Sequence, residues 1–284
     1  MNDPGPKERG GSGLDEGPRL EQWHGRSVEA WRTAWGVPAL HIFRSAGSTN
    51  DAARRLAEDG APEGTTVIAD AQTRGRGRRG RVWHADPGCS LILSMVVRPG
   101  ARGVESVLSI RLGLATARAI EDTVPLAVGL KWPNDLLVDG LKVGGMLCEG
   151  AIEQGRPAFV VAGTGVNVLQ PDDAWPDTLA DRATSLAARA GLAVEMPALA
   201  GRVVARWLDV LDAPADTLSP DELDAFRSRD VLGDRPVTVE GDPAGVVQGL
   251  AADGALLLAH PEGRARRVVS GTVRLLQRDT GEPS

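Results

Sequence analysis

The 284-residue sequence contains no tyrosine, two cysteines and four histidines. Cys89 and Cys148 cannot form a disulfide framework, and their separation matches no zinc-binding motif. The histidines are scattered, so the sequence offers neither a metal cluster nor a nucleophilic triad. Because cytosolic proteins rarely contain disulfides, this composition predicts a cytoplasmic protein whose chemistry does not depend on cysteine or histidine.

Long apolar runs are also absent. No stretch reaches the length that a membrane-spanning helix requires, and the polar N-terminus does not resemble a signal peptide. Hydrophobic residues make up 42% of the chain and the mean hydropathy is -0.15, values typical of a globular protein. The net charge of -6 argues against a general nucleic-acid-binding protein. We therefore expect neither a membrane nor DNA as a partner.

Lysine and asparagine are scarce. Only three of the 32 basic residues are lysines, so arginine supplies nearly all of the positive charge. Beyond the N-terminal tail, the lysines and asparagines fall at three places: Asn50, the segment 131–142 and Asn167. An ammonium group and a neutral amide differ from a guanidinium in charge distribution and hydrogen bonding. A lysine or asparagine in a chain that uses arginine for ordinary positive charge indicates that its particular side chain is needed. We therefore predict that these three places are functional.

Residues 71–83, with the sequence AQTRGRGRRGRVW, form the strongest local signal and are called the arginine loop below. Glycine allows a tight backbone that can approach a ligand, and guanidinium groups suit phosphate and carboxylate oxygens. The segment therefore predicts an anion-binding loop. Its glycines and arginines are Arg74, Gly75, Arg76, Gly77, Arg78, Arg79, Gly80 and Arg81.

The glycines of this loop match the spacing G-x-G-x-x-G, but the sequence that follows predicts a strand. A dinucleotide-binding fold would require an apolar helix there, and the other kinase and P-loop motifs are missing. A disordered arginine–glycine tract that binds nucleic acid is an alternative. Against it, the segment lies between two apolar runs.

The pattern of apolar residues predicts an α+β protein with two domains. Strand and helix patterns alternate over residues 38–230, and short strands with turn signals predict an SH3-like β-barrel over 231–278. Residues 1–37 are predicted to contain a disordered tail and one helix over Leu20–Trp35, and residues 279–284 a second tail. A helix is also predicted over 181–190, and a loop over 214–220.

Four other polar motifs lie beside predicted strands. Ser48-Thr49-Asn50 precedes a helix, where helix capping and ligand binding are both open interpretations. Lys131 to Asp135 (KWPND) predicts a turn, and Lys142 to Leu147 (KVGGML) a return strand. Gly163 to Asn167 (GTGVN) ends a strand, and its glycines allow close approach.

Taken in order, these motifs resemble the biotin–protein ligase family, and the likeness runs from about residue 40 to residue 273. The resemblance implies a class II synthetase-like mixed sheet with a small C-terminal SH3-like barrel. It also implies an ATP-dependent ligase that forms biotinyl-5′-AMP and transfers biotin to a specific lysine of a biotin carboxyl carrier domain. ATP, biotin and Mg²⁺ are the implied ligands. We expect a monofunctional ligase that acts as a monomer or a homodimer.

The resemblance also implies roles for individual residues. Catalytic roles fall on Lys142, Arg78 and Asp135, and Asp135 is the implied Mg²⁺ ligand. Biotin-binding roles fall on Ser48, Thr49, Asn50, Gln72, Arg76, Gly77, Arg78, Trp83, Lys142, Gly145, Gly163 and Gly165. ATP-binding roles fall on Arg76, Arg78, Arg79, Arg81, Trp83, Asn134, Lys142 and Asn167.

Some of these roles have structural alternatives. Arg79 and Arg81 are equally compatible with the outer face of the loop, Trp83 with a place in the core, and Lys131 with bracing the turn. Three other functions also compete with the ligase. Lipoate–protein ligases share the implied fold and adenylation chemistry but generally lack the GRGRRGR loop. A biotin-binding regulator has no need of Lys142, and a nucleic-acid-binding protein leaves Asn167 unexplained.

Overall fold

The computed structural model of the chain describes residues 16–98, 105–153, 156–212, 216–259 and 265–276. Residues 1–15 of the predicted N-terminal tail and the whole tail predicted over 279–284 lie outside the described residues. The end of the N-terminal tail, predicted as disordered to about residue 20, instead bonds the segment around residues 43–46, where Glu16 and Arg19 form bridges with Ala46 and Phe43. Within these ranges, no helix has both the length and the apolar character needed to cross a membrane. The strands and helices are β1 (Gln22–Trp23), β2 (Arg26–Ser27), α1 (Val28–Trp35), β3 (Leu40–Phe43), α2 (Thr49–Glu58), β4 (Thr66–Ala69), β5 (Ser90–Val97), α3 (Glu105–Glu121), β6 (Gly129–Lys131), β7 (Asp135–Val138), β8 (Leu141–Glu153), β9 (Arg156–Asn167), α4 (Leu186–Ala190), α5 (Met196–Asp212), α6 (Pro220–Arg227), β10 (Pro236–Val239), β11 (Asp242–Leu250), β12 (Leu256–Ala259), β13 (Ala265–Val268) and β14 (Val273–Leu275).

A seven-stranded mixed sheet forms the larger part of the molecule, in the order β3-β4-β5-β9-β8-β7-β6. The pair β3–β4 is parallel and the remaining pairs are antiparallel. Helix α2 buries its alanines against one face of this sheet, and α3 and α5 pack together over the other face. The predicted α+β fold is confirmed, with β8 and β9 longer than the sequence predicted.

The C-terminal part is a five-stranded antiparallel sheet in the order β13-β12-β11-β10-β14. It confirms the predicted all-β unit, and β14 is a strand that the sequence analysis did not identify. Its buried residues Val237 and Leu258 belong to the same hydrophobic cluster as Trp132 of the larger part. The Trp132 indole Nε1 donates to the carbonyl of Gly254 at 2.9 Å. The small sheet therefore supports the KWPND segment through a continuous core.

The helix predicted over Leu20–Trp35 is wrong in its first half. β1 and β2 form a hairpin, whose turn at His24 and Gly25 has positive φ angles of 46° and 74°. α1 then begins at Val28, because the Ser27 side chain accepts a hydrogen bond from the Ala30 amide and caps the helix.

Two further predictions need correction. The helix predicted over 181–190 is present only from Leu186, because residues 182 and 184 use their backbone groups to bond the backbone of Lys142. The loop predicted over 214–220 is present over the described residues 216–219, but α6, which was not predicted, already begins at Pro220. Ser219 and Glu222 form a capping box there, with proline in the first turn, and this signal was present in the sequence.

Candidate active site

A cavity of about 1010 Å³ lies between the large sheet, the arginine loop and one edge of the small sheet. The small sheet contributes residues from the β10–β11 turn and from β14. Every residue to which the sequence analysis assigned a catalytic, biotin-binding, ATP-binding or metal-binding role lines this cavity. Tertiary folding therefore brings five separate sequence motifs to a single site.

Uncharged polar side chains form one end of the cavity. The backbone amide of Thr49 donates to Gln72 Oε1 at 2.8 Å, and the buried Ser94 hydroxyl lies 2.6 Å from Asn50 Oδ1. Ser48 stands at the N-cap of α2 but makes no capping hydrogen bond with its side chain. The capping interpretation is therefore wrong for Ser48, whose buried side chain faces the cavity.

Glycines on β9 let two of the predicted site residues lie directly against the sheet. A Cβ atom at Gly163 would stand 2.1 Å from Asn50 Oδ1, and one at Gly165 would stand 2.5 Å from the Trp83 ring. Neither distance is compatible with a side chain. The close approach that the sequence predicted is therefore made, in this structure, by Asn50 and Trp83 themselves.

The position of Lys142 is set by a register shift between β7 and β8. The pairing of β7 with β8 shifts register beside it, and its amide and carbonyl instead bond the carbonyl of Arg182 at 2.8 Å and the amide of Thr184 at 3.0 Å. Bulges of this kind redirect a side chain out of the regular alternation. The ammonium donates to Asp135 Oδ1 at 2.5 Å and lies 5.6 Å from the centre of the Trp83 ring.

The KWPND turn is tied to β8 by both its backbone and a side chain. The Asn134 amide nitrogen Nδ2 donates to the carbonyl of Met146 at 2.7 Å, and the Met146 amide donates to the carbonyl of Asn134 at 2.9 Å. The Trp132–Pro133 bond is cis. These contacts place Asp135, the first residue of β7, opposite Gly145 in the strand register and within reach of the Lys142 ammonium.

Comparisons with known proteins agree with this arrangement. A family model described as the biotin/lipoate A/B protein ligase family matches residues 42–167. A biotin–[acetyl-CoA-carboxylase] ligase of Mycobacterium tuberculosis is 34% identical over 84% of this chain and 86% of its own length. The bifunctional ligase/repressor BirA of Bacillus spizizenii is 33% identical over 80% of this chain and 71% of its own length.

The chain belongs to the biotin–protein ligase family. A solved structure supports the same assignment: biotin protein ligase from Aquifex aeolicus in complex with biotin and ATP superposes with a TM-score of 0.73 and 28% identity. The superposition covers 84% of this chain and all of the Aquifex chain.

In this member of the biotin–protein ligase family, the arginine loop is folded as a tight turn. The amide of Gly77 donates to the carbonyl of Arg81 at 2.7 Å, and the amide of Trp83 donates to the carbonyl of Gly75 at 3.0 Å. The Arg76 guanidinium binds both carboxylate oxygens of Asp51, at 2.6 and 2.7 Å. This contact is the main reason why the pKa of Arg76 is raised.

The other arginines of the loop have different surroundings. Arg79 binds the carboxylate of Glu240 in the small sheet at 2.6 and 2.7 Å, and Arg81 donates to the Thr272 hydroxyl at 3.3 Å. The Arg78 side chain is half-buried in the cavity, and its guanidinium makes no hydrogen bond or ion pair with any residue that the structure describes. Burial lowers the pKa of Arg78, and the nearby carboxylate of Asp135 partly offsets this effect. Arg78 is thus a partly desolvated cation facing the cavity.

Lys131 is a second cation at this point of the cavity. Its pKa is lowered, first because the side chain is partly buried, although the Asp135 carboxylate opposes the shift. Lys142, Arg81 and Arg274 lie close enough to lower it further. Positive charge is therefore concentrated around the carboxylate of Asp135.

The far end of the cavity carries polar atoms without partners. Asn167 Nδ2 donates to the carbonyl of Thr184 at 3.1 Å, while its buried Oδ1 accepts no hydrogen bond from the described residues. The buried indole Nε1 of Trp175 is also unpaired within the described part of the chain. Buried polar atoms are normally paired, so these two indicate a place where a ligand supplies the partner.

Three residues at the site were not predicted from the sequence. Trp175, which lines the cavity, is a single aromatic residue in a polar segment. Ser94 interrupts an apolar strand and supports the cavity residues Thr49 and Asn50 through its hydroxyl; both signals were visible in the sequence. Arg274 had no local signal, because it reaches the cavity through β14, the strand that was not predicted.

Proposed function

We propose that this chain activates biotin with ATP and then transfers it to a lysine of a biotin carrier domain. In the first reaction a carboxylate oxygen of biotin attacks the α-phosphorus of ATP, which gives biotinyl-5′-AMP and releases pyrophosphate. In the second, the acceptor lysine amine attacks the carbonyl carbon of the mixed anhydride and AMP leaves. The order of polar groups along the cavity supports this proposal.

The neutral end of the cavity suits the ureido ring of biotin. A ureido group has both donors and acceptors but no charge, and Ser48, Thr49, Asn50 and Gln72 offer matching uncharged groups. Trp83 stands between this end and Lys142, where it would pack against the valeryl chain. The remaining members of the proposed biotin site are Arg76, Gly77, Gly145, Gly163 and Gly165.

The cationic centre suits the reacting groups. Lys142 would bind the biotin carboxylate and the α-phosphate, and stabilise the negative charge that accumulates on the phosphoryl oxygens during transfer. Arg78 would bind the same phosphate from the opposite wall, because its guanidinium has no other partner among the described residues. Asp135 would orient the acceptor lysine in the second reaction. Catalysis would rest on positioning and electrostatics.

The far end suits the nucleotide. The unpaired Asn167 Oδ1 would accept from the exocyclic amine of adenine. Asn134 would position the nucleotide side of the site, while Arg79 and Arg81 would contribute positive charge at its rim.

Mg²⁺ would enter with the nucleotide. Magnesium is commonly bound by one or two carboxylates together with substrate phosphates. Asp135 is the carboxylate that would hold the ion, by exchanging its contact with Lys142 for the metal. The described residues contain no cluster of three or more metal-ligating side chains, so the phosphates of ATP would supply most of the other ligands. The ion would neutralise charge on the phosphates, while Lys142 and Arg78 hold the reacting oxygens.

The observation that carries the proposal is the meeting of Lys142, Arg78 and Asp135 between a neutral polar end and an unpaired amide. Its test is pyrophosphate release from ATP with biotin, with lipoate or with neither, in the absence of acceptor. A biotin-dependent burst of about one pyrophosphate per site is expected, because the adenylate stays bound. Release with lipoate alone would assign the chain to lipoate activation, and no release would leave a binding protein.

A further inference from the structure

The apex of the arginine loop is bound by the small C-terminal sheet. Arg79 Nη1 donates to Glu240 Oε1 at 2.6 Å and Oε2 at 2.7 Å, and also lies 3.1 Å from the Thr272 hydroxyl. The two sheet residues are bonded to each other as well: the Thr272 amide donates to Glu240 Oε1, and the Glu240 amide donates to the Thr272 carbonyl, both at 3.0 Å. The carboxylate is therefore oriented by its own domain before it meets the loop.

Both partners of this ion pair have an unusual backbone. The φ angles are +61° at Arg79 and +56° at Glu240, a region that residues other than glycine seldom occupy. At Glu240 the positive φ belongs to the two-residue turn Glu240-Gly241 that joins β10 to β11. Two such residues, one on each domain, face each other here.

Arg79 is the immediate neighbour of Arg78. Gly77, Arg78 and Arg81 are joined in one turn by the hydrogen bonds Gly77 N to Arg81 O, at 2.7 Å, and Arg81 N to Arg78 O, at 3.3 Å. A contact that holds Arg79 against Glu240 therefore also restricts where Arg78 lies. Arg78 has no ion pair of its own with the described residues, so its position depends on this turn.

We propose that Glu240, supported by Thr272, is a positioning residue that latches the arginine loop over the cavity and so prolongs retention of the bound adenylate. The effect on the adenylate rests on the proposed function, whereas the latch itself does not. Glu240 acts through Arg79 and Arg78 and does not touch the reacting atoms.

The chain provides a matched control. Arg267 and Asp253 form another ion pair in the same small sheet, with side chains 54% and 47% exposed, against 53% and 46% for Arg79 and Glu240. Asp253 also accepts a backbone hydrogen bond, from Ala255. Asp253→Asn therefore removes a comparable charge and contact from the same domain without touching the loop.

The first measurement is trypsin cleavage within residues 74–81 of the full chain without ligands. Glu240→Gln should raise the initial cleavage rate roughly two- to fivefold, the effect expected for an exposed ion pair. In the Asp253→Asn variant, trypsin should cleave the loop at the wild-type rate. Equal rates for wild type and Glu240→Gln would overturn the latch, whether or not the chain is a ligase.

The second measurement is the rate at which radiolabelled biotinyl-AMP leaves the preloaded chain. Glu240→Gln should release it roughly two- to fivefold faster, and the difference from wild type should shrink in high salt because an exposed ion pair is screened. The charge exchange Arg79→Glu with Glu240→Arg should restore slow release relative to either single variant.

The two measurements separate the two proposals. If trypsin detects the latch but Glu240→Gln releases adenylate at the wild-type rate, the latch does not control retention and the positioning role is wrong. If the wild-type chain forms no adenylate, the proposed function and the retention role fail together, while the trypsin result still decides the latch.

Discussion

The cavity has two walls that are built in different ways. The sheet wall, residues 142–147 and 163–167, is fixed by backbone pairing: Gly144 and Gly145 of β8 pair with Val166 and Gly165 of β9, and β9 pairs again with β5. The loop wall is the arginine loop, in which residues 75–83 bond one another through the backbone. Residues 71–74 of the loop bond the backbone of residues 46–47, whereas residues 75–83 are joined to the rest of the molecule by side-chain contacts such as Arg76–Asp51 and Arg79–Glu240.

This difference separates two tasks. Backbone pairing between long strands leaves little freedom, so groups on the sheet wall keep their spacing whether or not a ligand is bound. Partly exposed ion pairs are individually weak and easily exchanged. The sheet wall is therefore suited to chemistry that requires fixed distances, and the loop wall to admitting, covering and releasing ligands.

The largest effect is expected from removing the charge of the sheet wall. Lys142→Met should lower the rate of adenylate formation by about 10²–10³-fold, the range found when one donor to a developing negative charge is lost. Pyrophosphate release in single-turnover conditions measures it. Lys142→Arg keeps a positive charge, so its rate of adenylate formation should fall less than that of Lys142→Met. Circular dichroism should show that both variants keep the wild-type fold. A Lys142→Met rate near that of wild type would exclude this lysine from the reaction.

Adding a side chain to a glycine of the sheet wall should have the next largest effect, a loss of affinity for biotin. A Cβ at Gly163 would meet Asn50 Oδ1 at 2.1 Å, so Gly163→Ala should displace Asn50 from the neutral end of the cavity. Overpacking costs about 1–3 kcal/mol, which corresponds to roughly 5- to 150-fold in affinity if it falls on ligand binding. Titration calorimetry with biotin measures the loss.

Gly113 in α3 provides the control for that substitution. A Cβ at this position meets Met146 at 3.8 Å, an ordinary contact, so Gly113→Ala should bind biotin as tightly as the wild-type chain. Wild-type affinity in Gly163→Ala as well would mean that Asn50 takes no part in binding biotin.

A smaller effect is expected from the loop wall. Arg78→Gly should speed release of biotinyl-AMP by about tenfold, because a charge-assisted hydrogen bond to the phosphate is lost. The freed adenylate should then label lysines of unrelated proteins, which a biotin blot of a mixture with serum albumin would detect. Arg78→Lys should label less than Arg78→Gly. If the two variants and wild type label alike, the loop does not retain the intermediate.

The smallest effect should be seen in the wild-type chain itself. Biotin and ATP together should reduce trypsin cleavage within residues 71–81, because a ligand that contacts Arg78 orders the segment. Cleavage at arginines outside the loop serves as an internal reference. Equal cleavage of the loop with and without ligands would show that the loop is equally accessible to trypsin in the ligand-free and the ligand-bound chain.

The motifs of the site were predictable because each is local. GRGRRGR, KWPND, KVGGML and GTGVN combine residues whose chemistry or backbone freedom is unusual over a few positions, and all of them line the cavity. The scarcity of lysine pointed to Lys142 in the same way. The helix predicted over Leu20–Trp35 failed in its first half, because a glycine turn and a serine cap override helical periodicity.

The sequence by itself determined the class of fold, most of the strands between residues 40 and 269, and the chemical character of the site residues. These follow from periodicity and residue type, which are properties of short segments. The tertiary structure alone decided that Arg79 forms an ion pair with Glu240, 161 positions away. It also decided that the backbone groups of residues 182 and 184 form hydrogen bonds with the backbone of Lys142. Contacts between distant segments depend on how strands pair and domains pack, and no local pattern encodes that geometry.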